Sequence, residues 1–150
     1  MEVRKVIAQY LQDAKLMQLA TISGDKPWVS SVWFAADNEF NIYWFSSITR
    51  RHSNEVGENS SIAASIVLPQ TPSDPPRGLQ IEGIGEVLSD NDDIAKARGL
   101  YAGRIFDAVK IDALMASAER PHRFYRLRPN RIVLLDPVNF SDSPTQELTM

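Results

Sequence analysis

Residues 19–46 read LATI, SGDKP, WVSSVWFAA, DNE, FNIYWFS. Three short stretches rich in β-branched and aromatic residues are separated by clusters of turn formers. Such stretches fit a pleated, partly buried surface. The connections between them hold only a few residues. Parallel strands need a crossover of a dozen or more, so these strands must run antiparallel as a meander. That constraint sets the frame for the rest of the chain.

Further strands follow the same grammar. SIAASIVL (61–68) is a near-continuous apolar run, and LQIEGIGEVL (79–88) carries Gly83 and Gly85, which signal a bulge or a close backbone approach. Between them, PQTPSDPPRG (69–78) holds four of the nine prolines. It is expected to be a long loop within one sheet. HRFYRLRP and RIVLLDP read as two closing strands parted by Pro129-Asn130.

Helices flank this sheet. Val3, Val6, Ile7, Tyr10, Leu11, Ala14 and Met17 recur at helical spacing, so an amphipathic helix is expected over residues 1–18. SDNDD (89–93) supplies an N-cap and a first turn of acids, and residues 92–118 read as two helices. The polar stretch SDSPTQELTM (141–150) is expected to be a loose tail. Six to seven short sequential strands with grouped helices predict an α+β fold, a small antiparallel barrel in one domain spanning 1–150.

Composition narrows the function classes. A chain of 150 residues can bury a core without staples, and it has no cysteine for disulfides, thiol catalysis or thiolate metal sites. No signal peptide or membrane-length apolar run is present, so a cytoplasmic protein is expected. A net charge of −3 argues against nucleic-acid binding.

In this mildly acidic chain, positive charge gathers in SSITRRHSNE (46–55). Thr49 or Ser47 suits an N-cap, and Arg50, Arg51 and His52 would form a helix's first turn. Two arginines there oppose the helix dipole by some tenths of a kcal/mol each when exposed. A bound anion would resolve the conflict, because free N–H groups, the dipole and two guanidinium forks would converge on one phosphate. The other reading leaves the arginines as surface charges paired with Glu55 and Glu58. These residues alone leave both open. Ser30 and Ser31, between Trp28 and Trp33, suit either a ligand cleft with aromatic walls or a core strand. His52 and His122, the two histidines, show no metal-ligand spacing, and His122 reads as surface or satisfied core.

Together, LATISGDKPWVSSVWFAADNEFNIYWFSS, TRRHSNEV, SIAASIV, GLQIEGIGEVL and RFYRLRPNRIVLLD resemble, in order and spacing, the pyridoxamine 5'-phosphate oxidase-like family of FMN-binding split barrels. The resemblance covers roughly residues 15 to 135. It implies a six-stranded antiparallel split β-barrel, a homodimer, and one FMN in each of two clefts between subunits. It assigns the flavin phosphate to Thr49, Arg50 and Arg51 with His52 beside them, and a preceding polar pair to Ser46 and Ser47. The strand facing the isoalloxazine ring corresponds to Ser30, Ser31, Val32 and Trp33. A glutamine reaching the other subunit's flavin corresponds to Gln80. The oxidase's arginine near Ser30 and lysine near Ala35 are missing, and its pyridoxal-holding C-terminal elements have no counterpart. A flavin-dependent oxidoreductase with a small-molecule substrate other than pyridoxamine phosphate is therefore expected. The family also includes deazaflavin and haem binders and members without a cofactor, so the alternatives are a non-catalytic flavin- or haem-binding protein or a cofactor-free dimeric module.

Overall fold

The computed structural model describes residues 2–150. Its elements are α1 (Val3–Asp13), β1 (Leu16–Ser23), β2 (Lys26–Ala36), β3 (Ile42–Ser47), α2 (Arg51–Glu58), β4 (Ser61–Ile66), β5 (Gly78–Val87), α3 (Asn91–Tyr101), α4 (Ala108–Met115), β6 (His122–Leu135) and β7 (Thr145–Thr149). The sheet runs β3-β2-β1-β4-β5-β6-β7, and β6 returns to pair with β3. Six antiparallel strands thus close a barrel flanked by four helices, and β7 lies against the far half of β6. The α+β split-barrel expectation holds.

Local chemistry explains the meander. Gly24, at φ 59°, takes the first central position of the two-residue turn between β1 and β2. Primed hairpin turns need a positive φ there. After β2, the Asp37 carboxylate accepts from the backbone N–H groups of Glu39 and Asn41 and from the Tyr43 hydroxyl, which closes the next turn. The apolar run of β3 is buried on both faces. Ile42 and Trp44 point into the barrel, while Tyr43 and Phe45 join Tyr101 and Ile111 of the helical layer. Fully burying such side chains contributes roughly 1.5–3 kcal/mol each.

Three expectations need correction. The first helix ends at Asp13, not at residue 18. Ala14 is extended, and Arg104 takes the carbonyls of Leu11 and Ala14 that the helix end leaves free. Met17 is buried from β1 instead, where its place in the strand coincides with the helical stripe. Pro129-Asn130 does not separate two strands. β6 is continuous, and Glu82 pairs with Arg131 while Gly83 pairs with Pro129, so Asn130 is the extra residue of a bulge. A Cβ on Gly83 would collide with the Arg128 carbonyl, so the anticipated close approach is real. Finally, the segment expected to be a loose tail supplies β7, held by the Arg131–Glu147 pair and the packing of Leu148 on the core.

α1 plugs the barrel through Val6, Ile7, Tyr10 and Leu11. The Tyr10 hydroxyl donates to the fully buried Asp136 carboxylate at 2.9 Å, and Asp136 also accepts from the N–H groups of Val138 and Asn139. This ties the N-terminal helix to the end of β6.

Candidate functional site: a cleft where the barrel splits

β2 leaves β3 early. The two strands pair only from Phe34–Ala36 to Ile42–Trp44. The earlier residues of β2 pair with β1 alone, and Phe45–Ser47 of β3 pair with β6 alone. A cleft opens between the two free edges. The Phe34 N–H donates to Lys15 on the β1 side, and the Trp33 carbonyl accepts from Tyr101 on the other side. Antiparallel alternation then turns the N–H and C=O groups of Val29 and Ser31 toward the cleft.

The cleft encloses about 510 Å³. One wall is β2, with Ser30, Ser31, Val32 and Trp33, and Trp28 at its outer end. Ser46 and Ser47 from the end of β3 form the opposite side, and Arg50, Arg51 and His52 of α2 close one end. Nine of the eleven sequence-predicted residues therefore line one cavity. Thr49 is next to it, its hydroxyl 2.8 Å from that of Ser47. Gln80 is not brought there within one chain. It lies on β5 in a separate hollow with Ser65 and Arg77.

The expected cap does not form. Arg50 is the N-cap of α2 and gives no side-chain cap. The Ser47 hydroxyl instead accepts the Thr49 N–H at 3.2 Å, closing a turn just before the helix. The first-turn N–H groups of α2 have no partner within the helix, and no side chain caps them. The surface-pair reading holds for Arg51 alone. Arg51 donates through Nε to Glu55 at 2.6 Å, while Arg50 makes no ion pair among the described residues. Glu58 receives the Ser23 hydroxyl rather than an arginine. The Arg51 guanidinium also lies 4.1 Å over the Trp28 ring centroid, a cation–π stack.

His52 is buried, with Nε2 3.0 Å from the Ser46 hydroxyl. Burial and the nearby Arg50 hold its pKa below the ordinary histidine value, so it is neutral at pH 7. The Ser30 hydroxyl is buried in the cleft wall without a hydrogen-bond partner. An orphaned hydroxyl, an open peptide edge and two guanidinium groups at an open helix start fit a planar heterocycle that carries a phosphate.

Sequence reasoning missed Phe45 and His122 as cleft residues. His122 is not simply surface or core. Its ring packs at a tilt against Phe45, centroids 5.2 Å apart, and its Nδ1 meets the Arg120 carbonyl at 2.8 Å. It faces Ser47 across the β3–β6 ladder, a register that no local pattern announces.

A split barrel with an aromatic-walled cleft ending at a basic helix start defines the class of domain. The pyridoxamine 5'-phosphate oxidase family model matches residues 3–136, and the chain belongs to that family. No curated protein matches it in sequence. Solved structures share the fold at low identity. The heme binding protein of Mycobacterium smegmatis aligns at TM-score 0.80 and 16% identity, over 99% of this chain and 58% of that one. A pyridoxamine 5'-phosphate oxidase-related, FMN binding protein of Nostoc punctiforme aligns at 0.68 and 14%, over 98% and 88%. The heme storage protein HutZ of Vibrio cholerae aligns at 0.70 and 19%, over 86% and 91%. Among the described residues, no helix is long and apolar enough to cross a membrane.

Proposed function

We propose that this chain binds FMN in the cleft between β2 and α2 and serves as a flavin-dependent oxidoreductase acting on a small molecule. The observation that carries the reading is the uncapped start of α2 with Arg50 and Arg51, set at one end of a cleft whose other wall is an open strand edge with an orphaned serine. Arg50, Arg51 and the first-turn N–H groups hold the phosphate, with Ser47 and Thr49 beside them. The edge of β2 at Val29 and Ser31, with the Ser30 hydroxyl, meets the polar rim of the ring. Trp33 and Phe45 provide apolar walls. When bound, FMN supplies hydride or electron transfer. No side chain here is placed as an obligatory acid or base.

The functional unit in this reading is a homodimer. Leu16, Val29, Trp33 and Val67 are exposed on the outer side of β1, β2 and the end of β4. Ser31, Gln18, Ser65 and Gln80 form one row across four strands on that side. A second copy seated on this face would cover the apolar residues and bring Gln80 toward the partner's cleft.

A haem reading has one observation in its favour. The Nδ1 contact of His122 with a carbonyl leaves its Nε2 as the free nitrogen of a cleft imidazole, the form that ligates iron. Titration of the purified protein with FMN and, separately, with hemin decides between the two. FMN binding with quenched flavin fluorescence is expected. The Arg50→Ala/Arg51→Ala double variant is expected to bind FMN about 100-fold more weakly, the loss of roughly 3 kcal/mol from two charged contacts. A protein that takes up hemin alone, or neither ligand, overturns the flavin reading.

A further inference from the structure

We propose that Glu55, braced by Thr21, is a positioning residue that fixes the Arg51 guanidinium for phosphate binding in the cleft. This inference rests on the FMN reading above.

Glu55 is on α2 but is only 5% exposed. Its Oε2 accepts from Arg51 Nε at 2.6 Å, and its Oε1 accepts from the Thr21 hydroxyl of β1 at 3.0 Å. An ordinary i,i+4 surface pair joins two solvated groups and contributes a few tenths of a kcal/mol. Here one partner is desolvated. A buried carboxylate costs more than an apolar side chain of similar volume unless its geometry is well satisfied. Both oxygens are engaged, from two elements, so this carboxylate is held still.

What it holds is Arg51. The Nε bond sets the tilt of the guanidinium, and the Trp28 ring 4.1 Å below sets its plane. Thr21 and Trp28 are themselves direct partners across β1 and β2, so one strand pair supplies both the brace and the platform. The terminal nitrogens of Arg51 make no hydrogen bond among the described residues, and the residue lines the cleft. An arginine fork immobilised in this way loses little freedom when it takes a phosphate oxygen pair. The alternative is that Glu55 only shields charge or stabilises the fold.

The two roles predict opposite signs. Glu55→Gln removes a negative charge beside the phosphate, which by electrostatics alone would tighten FMN binding. Under the positioning role it weakens FMN binding about tenfold, through loss of a charged hydrogen bond. Riboflavin lacks the phosphate and serves as the control ligand, and its affinity should not change. Thr21→Val, which keeps the charge of Glu55 and removes its brace, should shift FMN affinity in the same direction by a smaller factor. Glu55→Gln binding FMN as tightly as wild type or more tightly overturns the inference. An equal loss of FMN and riboflavin in both variants also overturns it, because that reports damage to the fold. Wild-type protein that binds neither flavin removes the FMN reading itself, and this inference with it.

Discussion

His52 gives the basic end of the cleft a pH signature. The ring is buried, and burial together with Arg50 holds its pKa below 6.5, while Glu55 pulls the other way. In the unfolded chain the ring titrates near its ordinary value. The folded protein gains from His52 being neutral, so this contribution is complete above pH 6.5 and is lost as pH falls, because only the unfolded state takes up the proton. The slope reaches about 1.4 kcal/mol per pH unit. If the folded ring stays neutral throughout, the loss between pH 7 and pH 5 integrates to about 2 kcal/mol, which is the upper limit. The test compares urea unfolding of wild type and His52→Gln at pH 7, 6 and 5. Gln can keep a hydrogen bond to Ser46 but cannot titrate. Other acids shift both proteins alike and cancel in the difference. Wild type should be the more stable at pH 7, and its advantage should shrink steadily toward pH 5. A constant advantage, or one that grows in acid, would refute the assignment of His52 as a buried neutral ring.

Two further substitutions test the scaffold that positions the cleft. Tyr10→Phe keeps the ring packing and removes the hydroxyl bonded to Asp136. A loss of about 1.5–3 kcal/mol is expected in urea unfolding at pH 7, as for hydrogen bonds to charged groups. Hydrogen bonds from Asn139 and Tyr10 outweigh burial, the largest single influence, and hold the Asp136 carboxyl below its usual range. The difference should therefore narrow once pH falls through that lowered value, and equal losses at neutral and acid pH would contradict it. Gly83→Ala should destabilise by about 3 kcal/mol, because the backbone of Arg128 and Pro129 blocks its Cβ. Gly57→Ala in α2 meets nothing within 4 Å and should instead gain up to about 1 kcal/mol.

Much of the barrel could be read from the chain because its strands obey local rules: β-branched and aromatic stretches in β2 and β3, with clusters of turn formers between them. The misreadings share one cause. Ala14 and Met17 continue the helical stripe by coincidence of period, and only the arginine at 104, ninety residues away from Ala14, marks where the helix stops. Pro129 reads as a break until Gly83 is seen to accommodate the bulge opposite it. TQELT reads as loose because its holding partner is Arg131 across the sheet. Each of these outcomes is settled by a residue distant in sequence.

The site divides along the same line. The arginine cluster was visible because it violates a local rule, putting positive charge at a helix start. The point where the cleft opens was not visible, because no residue of β2 marks where the strand parts from β3. β6 takes one edge of β3 along its whole length, from Ile42 to Ser47. β2 takes the other edge only as far as Trp44, and Tyr101 from α3 occupies the Trp33 carbonyl just where pairing stops. The strand edge that would have continued the sheet is left open beside α2. A barrel closed along its full length would satisfy those peptide groups internally and leave nothing to meet a ligand. The same partial pairing that costs the fold several strand hydrogen bonds therefore creates the polar edge of the cleft, and a ligand that restores those bonds would stabilise the folded state as well as occupy the site.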